Sequence, residues 1–213
     1  CYLLAGHPVK GIAPVSIDLE HAERRITEHL ERSFANGIST QPPSYYLQNL
    51  TISEDFNALA DCELVIECTI EDLEVKKRMF GLVEAVIAPT AILASNTSAI
   101  PISTLQEFTI HPKRFFGLHW AEPAHTTRFL EIICGDESDI ELGEYLYELA
   151  SNWQKEPILV RKDIRGFITN RLMYAMYREA FHLVENGYAT VEDIDRACRN
   201  NAGYFMTFVG VFR

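Results

Sequence analysis

The segment Gly117–Glu131, GLHWAEPAHTTRFLE, decides how this chain is read. An apolar run, Phe115–Leu118, delivers His119 at its end. A turn containing Pro123 follows, and a second apolar run, Phe129–Ile133, carries Glu131. Two strands joined by such a turn double back, which brings His119 and Glu131 within reach of each other. An imidazole held by a carboxylate has a fixed tautomer and a stabilised cationic form, the requirements of a general base. The same pair also serves as plain support near a strand end, and spacing alone leaves both readings open.

Working outward from this segment, apolar runs and amphipathic stretches alternate. Val9–Ile17 reads as an irregular strand, because Pro14 inside it cannot donate to a ladder; a helix over Leu19–Phe34 follows. Asn49–Ser53 is a short strand, Glu63–Cys68 a buried one, and Glu71 and Asp72 open a helix reaching about Ile87. Ala91–Ala94 is a strand followed by SNTS, Ile140–Trp153 a helix, and Pro157–Val160 the last strand. This alternation predicts an α/β fold, a Rossmann-type doubly wound, mostly parallel sheet. The pattern changes near Asp163. Phe167–Asn186 reads as one long helix, and a second starts with Thr190 as N-cap and Asp193 three residues on, an approximate capping box. Residues 1–163 are thus read as one domain and 164–213 as the start of an incomplete helical one.

Composition narrows the function. The 213 residues are 47% hydrophobic with a net charge of -11, which describes a globular protein and argues against a nucleic-acid partner, whose footprint is a basic face. Five cysteines without a CxxC pattern, most of them in apolar runs, read as free thiols and not as metal ligands. No apolar run has the length to span a bilayer. A cytoplasmic protein is expected, although the chain does not begin with Met and a mitochondrial targeting segment ahead of Cys1 stays open.

GLHWAEP, ASNTSAI (residues 94–100) and GFITNR (residues 166–171) together resemble the motifs of the NAD-dependent 3-hydroxyacyl-CoA dehydrogenase family, which read roughly GLHFFNP, SNTSS and PGFIVNR. The resemblance runs from about Asp18 to the C-terminus. It implies NAD as cofactor, an acyl-CoA thioester as substrate, and a homodimer formed through the helical domain. His119 is then the catalytic base and Glu131 its support, with Ser98 and Asn170 donating hydrogen bonds to substrate oxygens. LVIECTIEDLEVKKRMF resembles the segment in which a Glu and a Lys contact the cofactor, which maps onto Glu71 and Lys76; Asn96 is placed beside the nicotinamide end.

Each of these residues also has a plainer reading. Glu71 favours a helix N-terminus electrostatically, Lys76 fits a charged helix face, SNTS can satisfy its own turn, and Asn170 is an ordinary helix-start residue. Asp18 fits the acid that ends the second strand of a Rossmann unit and binds the adenosine ribose, which would select NAD over NADP; it equally fits a helix N-cap. The GxGxxG turn expected between the first strand and first helix is not in the sequence, so the chain reads as a fragment missing its first strand and glycine turn, expected to bind nucleotide poorly.

Three departures from the family pattern bear on the substrate. Glu122 replaces an Asn beside the histidine, Arg165 stands where Pro is usual, and GYFMTFVGVF (residues 203–212) replaces a GxPMGPF-like segment. A carboxylate at Glu122 that faced the dyad would change its electrostatics, unless it turns to solvent or to Arg128 or Arg165. The departures leave open a non-CoA hydroxy acid or a carnitine-like substrate, a silent nucleotide-binding member of the fold, or one part of a larger multifunctional enzyme.

Overall fold

A computed structural model of the chain describes residues 1–13 and 16–212. The chain divides into two compact units, Cys1–Phe167 and Ile168–Arg213. In the first, the order is β1 (Val9–Ile12), α1 (Ser16–Ala35), α2 (Pro43–Leu47), β2 (Leu50–Ser53), β3 (Leu64–Glu67), α3 (Leu73–Glu84), β4 (Ile92–Ser95), α4 (Ile102–Gln106), β5 (Phe115–Trp120), β6 (Phe129–Cys134), α5 (Ile140–Ser151) and β7 (Glu156–Val160). The second unit comprises α6 (Thr169–Glu185), α7 (Val191–Ala197), a π turn at Cys198–Ala202 and α8 (Gly203–Met206).

The strands form two sheets, β1-β2 and β3-β4-β5-β6-β7, and every pairing except β5–β6 is parallel. Among the described residues, β1 and β3 are not bonded to each other, and each leaves one edge unpaired.

The larger sheet is covered on both faces, which is why β4 reads ILAS with every residue buried. Alternate side chains supply the two faces. Val65, Leu93, Phe115, Ile133 and Val160 meet Phe80 and Val83 of α3 and Ile102 and Leu105 of α4. Ile92, Ala94, Phe116, Leu118, Leu130 and Ile132 meet Leu146 and Ala150 of α5 on the opposite face. Each Val, Leu, Ile or Phe among them contributes roughly 1.5–3 kcal/mol when fully buried. Gly117 permits the close approach of α4 to β5: a Cβ there would lie 2.8 Å from Ile102 Cδ1 and 2.9 Å from Ile133 Cδ1.

Helix starts follow local chemistry. Asp72 caps α3 by accepting from Val75 N at 3.0 Å, and Thr190 caps α7 by accepting from Asp193 N at 3.2 Å. No helix among the described residues is long and apolar enough to cross a membrane.

One expectation is corrected. The first strand stops at Ile12 instead of Ile17, because its partner β2 ends at Ser53. Among the described residues, the last bond of that edge runs from Ala13 N to Ser53 O, 2.9 Å. Pro14 and Val15 lie outside the described residues, and α1 begins at Ser16, ahead of the expected Leu19. Asp163, where the sequence places the domain boundary, accepts from Ser103 N and Oγ at 2.7 and 2.9 Å; the two units divide further on, between Phe167 and Ile168.

Candidate active site

His119 and Glu131 are register partners across the antiparallel pair β5–β6. Directly opposed residues in such a pair project their side chains from the same face, close enough to touch. His119 Nδ1 lies 2.8 Å from Glu131 Oε2, with Glu131 0% and His119 9% exposed. When Glu131 is a carboxylate it is acceptor-only, so Nδ1 carries the hydrogen and Nε2 keeps the lone pair. Aromatic rings border the imidazole: Phe129 meets it at right angles, 5.6 Å between centroids, and Phe167 at 5.5 Å. Phe167 is fully buried and holds φ +51° directly after Gly166 at φ +78°. A bulky residue in the left-handed region is strained, and such strain persists where the surroundings demand it.

The ends of β3 and β4 carry a second polar cluster. Asn96 joins β4 to β5 beside the histidine, its Oδ1 accepting from Trp120 N at 3.1 Å and its N–H donating to Glu67 O at 2.8 Å. Glu67, at the last position of β3, is buried and accepts from Ser95 Oγ at 2.6 Å and from the amide and hydroxyl of Thr69, both at 2.5 Å. Lys76 donates to both Glu67 oxygens at 3.1 and 3.0 Å and pairs with Glu71 Oε2 at 3.4 Å. Glu71 Oε1 accepts from Thr97 Oγ1 at 2.5 Å, Ser98 N at 3.0 Å and Ala99 N at 3.2 Å. Its carboxyl is held below the ordinary value; burial opposes this, and the Thr97 hydroxyl, Lys76 and the Ser98 and Ala99 amides outweigh burial.

The structure therefore brings together His119 with Glu131, and Glu71 with Lys76 and the turn bearing Ser98. Lys76 does not lie on a solvated face. It is 1% exposed, because it shares the buried stripe of α3 with Met79, Phe80 and Val83. The strand-end placement of Asp18 is corrected: it is exposed in the first turn of α1, and Ala13 follows the last residue of β1. The helix N-terminus accounts for an acid at Asp18 without a ligand. Asn170 sits in the first turn of α6, in the second unit. Glu122 is exposed, and Arg128 is engaged by Glu156 at 2.8 Å.

Two groups escaped the sequence reading. Glu67 was recognisable as a carboxylate closing an apolar strand at its C-terminal end. Thr97 was not, since its hydroxyl meets Glu71 across the segments that follow β4 and β3, far apart in sequence.

A doubly wound unit with polar groups gathered beyond the carboxyl ends of parallel strands has the ligand-binding edge of a nucleotide-binding scaffold. Comparison makes the assignment specific. Residues 1–164 match the 3-hydroxyacyl-CoA dehydrogenase NAD-binding domain and residues 166–213 the C-terminal domain of the same family. The 3-hydroxybutyryl-CoA dehydrogenase of Mycobacterium tuberculosis is 34% identical over 91% of this chain and 68% of its own length. A 5-formyl-3-hydroxy-2-methylpyridine 4-carboxylate 5-dehydrogenase of Mesorhizobium japonicum is 30% identical over 93% of this chain and 63% of its own length. The solved 3-hydroxybutyryl-CoA dehydrogenase of Escherichia coli superposes with a TM-score of 0.87 at 34% identity, over 94% of this chain and 43% of that one. The chain belongs to the 3-hydroxyacyl-CoA dehydrogenase family, and its cofactor is NAD.

The residues present fit the nicotinamide side of that cofactor. Thr69, Glu71, Asn96 and Ser98 cluster where β3 and β4 end. Among the described residues, the position directly after β1 is Ala13, not an acid.

Proposed function

We propose that this chain carries the catalytic centre of a dehydrogenase that oxidises the 3-hydroxyl of a 3-hydroxyacyl-CoA thioester to the ketone, reversibly, with His119 and Glu131 as the acid–base pair. The single observation that carries this reading is the Nδ1–Oε2 contact of 2.8 Å between register partners. NAD, when bound, supplies the hydride acceptor. His119 takes the hydroxyl proton at Nε2. Glu131 holds Nδ1–H and offsets the positive charge that the ring then gains. Burial of the pair keeps water away from that charge, so the carboxylate acts at greater effect than it would in solvent. Ser98 and Asn170 are assigned the donation of hydrogen bonds to substrate oxygens, where developing negative charge makes each bond most effective. Glu71, Lys76 and Asn96 are assigned to the cofactor side.

A second reading replaces the CoA thioester by a smaller hydroxy acid. The relative from Mesorhizobium japonicum, named for a pyridine carboxylate, favours it. The protein is proposed to work as a homodimer through its helical unit. Leu172, Met173, Met176, Tyr177 and Phe181 form an exposed apolar face on α6, consistent with burial against a second copy.

The deciding experiment compares kcat/KM with NAD for 3-hydroxybutyryl-CoA, free 3-hydroxybutyrate and carnitine. A preference of at least about a hundredfold for the thioester is expected, near 2.7 kcal/mol of differential transition-state binding. Equal or better use of a free hydroxy acid overturns the CoA reading and leaves the dehydrogenase assignment standing.

A further inference from the structure

Two aromatic rings and a carboxylate surround the imidazole of His119. Phe129, Glu131 and Ile133 alternate along β6, so they project from one face, and His119 meets that face as the register partner of Glu131. Glu131 Oε2 lies 2.8 Å from Nδ1. Phe129 is the diagonal neighbour across the pair, within reach for an aromatic side chain. Its ring stands at right angles to the imidazole, 5.6 Å between centroids, and the Phe167 ring closes another side at 5.5 Å, tilted by 55°.

Phe129 arrives by strand alternation, whereas Phe167 arrives at a conformational cost. It holds φ +51° after Gly166 at φ +78°, and only the glycine adopts that region freely. The segment is tied down along its length. Asp163 accepts from Ser103 N and Oγ at 2.7 and 2.9 Å, Gly166 N donates to Ala99 O at 3.3 Å, and Phe167 N donates to Ile164 O at 2.8 Å. The Phe167 side chain, 0% exposed, belongs to the buried cluster that contains Ile102 and Ile133. Every other buried member of that cluster lies in a strand or helix, so filling the core does not by itself call for left-handed backbone. Strain of this kind is retained where a site needs the side chain in one place. Here that place is against His119.

An aromatic ring is at best a weak acceptor of an N–H. An imidazole that turned away from Glu131 would set its Nδ1–H against ring carbon and leave both partners unbonded in a buried place, which is costly. We infer that Phe129 and Phe167 are positioning residues for His119: their rings hold the imidazole on Glu131 and so aim Nε2 at the substrate hydroxyl. The carboxylate fixes one atom of the imidazole, and the two rings fix its plane. The inference rests on the reading of His119 as the group that takes the proton.

The test uses Phe167→Leu, Phe129→Leu and His119→Ala in the full-length protein, and each leucine substitution combined with His119→Ala. Leucine keeps most of the apolar volume and removes the flat ring. The readouts are kcat, KM, the Kd for NADH by fluorescence titration, and the nitrogen-15 spectrum of the neutral His119 imidazole, assigned by the signals that His119→Ala removes. A misplacement of about 1 Å can cost roughly 10²-fold, so each leucine variant should lower kcat by about 10- to 10²-fold. KM and NADH Kd should stay within about threefold of the parent, the pattern of a loss confined to the transition state. The spectrum should pass from the Nδ1–H tautomer to a mixture of both. In the His119→Ala background each leucine substitution should change the residual rate by less than about twofold, since groups acting as a unit are not additive.

A kcat within about threefold of the parent in either leucine variant overturns the inference. Equal losses with and without His119 overturn it as well, because the rings would then only support the hairpin. A raised KM or NADH Kd with kcat intact makes the rings walls of a ligand site, and an unchanged tautomer shows that they do not hold the imidazole; either result sinks the idea. Phe129 is only partly buried, so if Phe167→Leu does not fold, Phe129→Leu decides alone by the same criteria. If His119→Ala keeps parental turnover, the base reading fails and the inference falls with it. A slow His119→Ala beside fast leucine variants removes the inference alone.

Discussion

Lys76, on the buried stripe of α3, donates to both carboxylate oxygens of Glu67 at the end of β3, 3.1 and 3.0 Å away, with side chains 1% and 2% exposed. Breaking a buried pair by removing one partner strands a charge, which costs about 3–5 kcal/mol. Lys76→Met should therefore destabilise the protein by that order in urea unfolding. The Glu67→Gln/Lys76→Met double variant should recover most of the loss, because neither charge is then left alone. A single-variant loss below about 1 kcal/mol would show that the pair is not desolvated in solution.

Glu71 gives the polar cluster at the ends of β3 and β4 a pH dependence. Its folded carboxyl lies below the ordinary value of 4.5, so the stability it contributes is present above that value and is lost as pH falls through the folded one. The Tm difference between the parent and Glu71→Gln should be constant around neutral pH and shrink on acidification below 4.5. A gap that persists unchanged in acid contradicts the assignment. No energy follows directly, since the Glu71 side chain is 40% exposed and solvent screens it.

Asp18 should not govern cofactor choice. It lies exposed in the first turn of α1, past the end of β1 and past Ala13. Asp18→Asn should change the ratio of NADH to NADPH Kd by less than about twofold, with at most about 0.3–1 kcal/mol of helix stabilisation lost at low salt. A change of tenfold or more in that ratio would return Asp18 to the ribose site.

These residues show what the sequence made legible. His119 and Glu131 were found because two apolar runs flanking a Pro-containing turn have the signature of a local antiparallel pair, whose register the turn sets. Burial of Lys76 was also encoded, in its spacing from Met79, Phe80 and Val83, although a lone cation reads as surface by default. The length of β1 was not encoded locally. Pro14 marks the run as irregular, but the described pairing ends at Ile12 opposite Ser53, the last residue of β2, some forty residues on. The Glu67–Lys76–Glu71–Thr97 cluster joins three elements at once, so no local pattern could announce it.

Glu122 departs from the family motif beside the histidine, yet its side chain is exposed. Charges in solvent are screened within about 8 Å at physiological salt, which leaves Glu122 little influence on a buried pair. The pH–rate profiles of the parent and Glu122→Asn should superimpose. A displaced acidic limb in the variant would mean that Glu122 turns toward the dyad when substrate is bound.

The central claim, that His119 moves the proton, is tested most directly by single-turnover oxidation of 3-hydroxybutyryl-CoA in His119→Ala, with NADH formation followed by absorbance. Loss of a general base predicts a rate about 10²–10⁴-fold below the parent, with NADH Kd changed by less than about threefold. A single-turnover rate within about threefold of the parent would contradict the account, and would leave His119 and Glu131 as a structural pair between two strands.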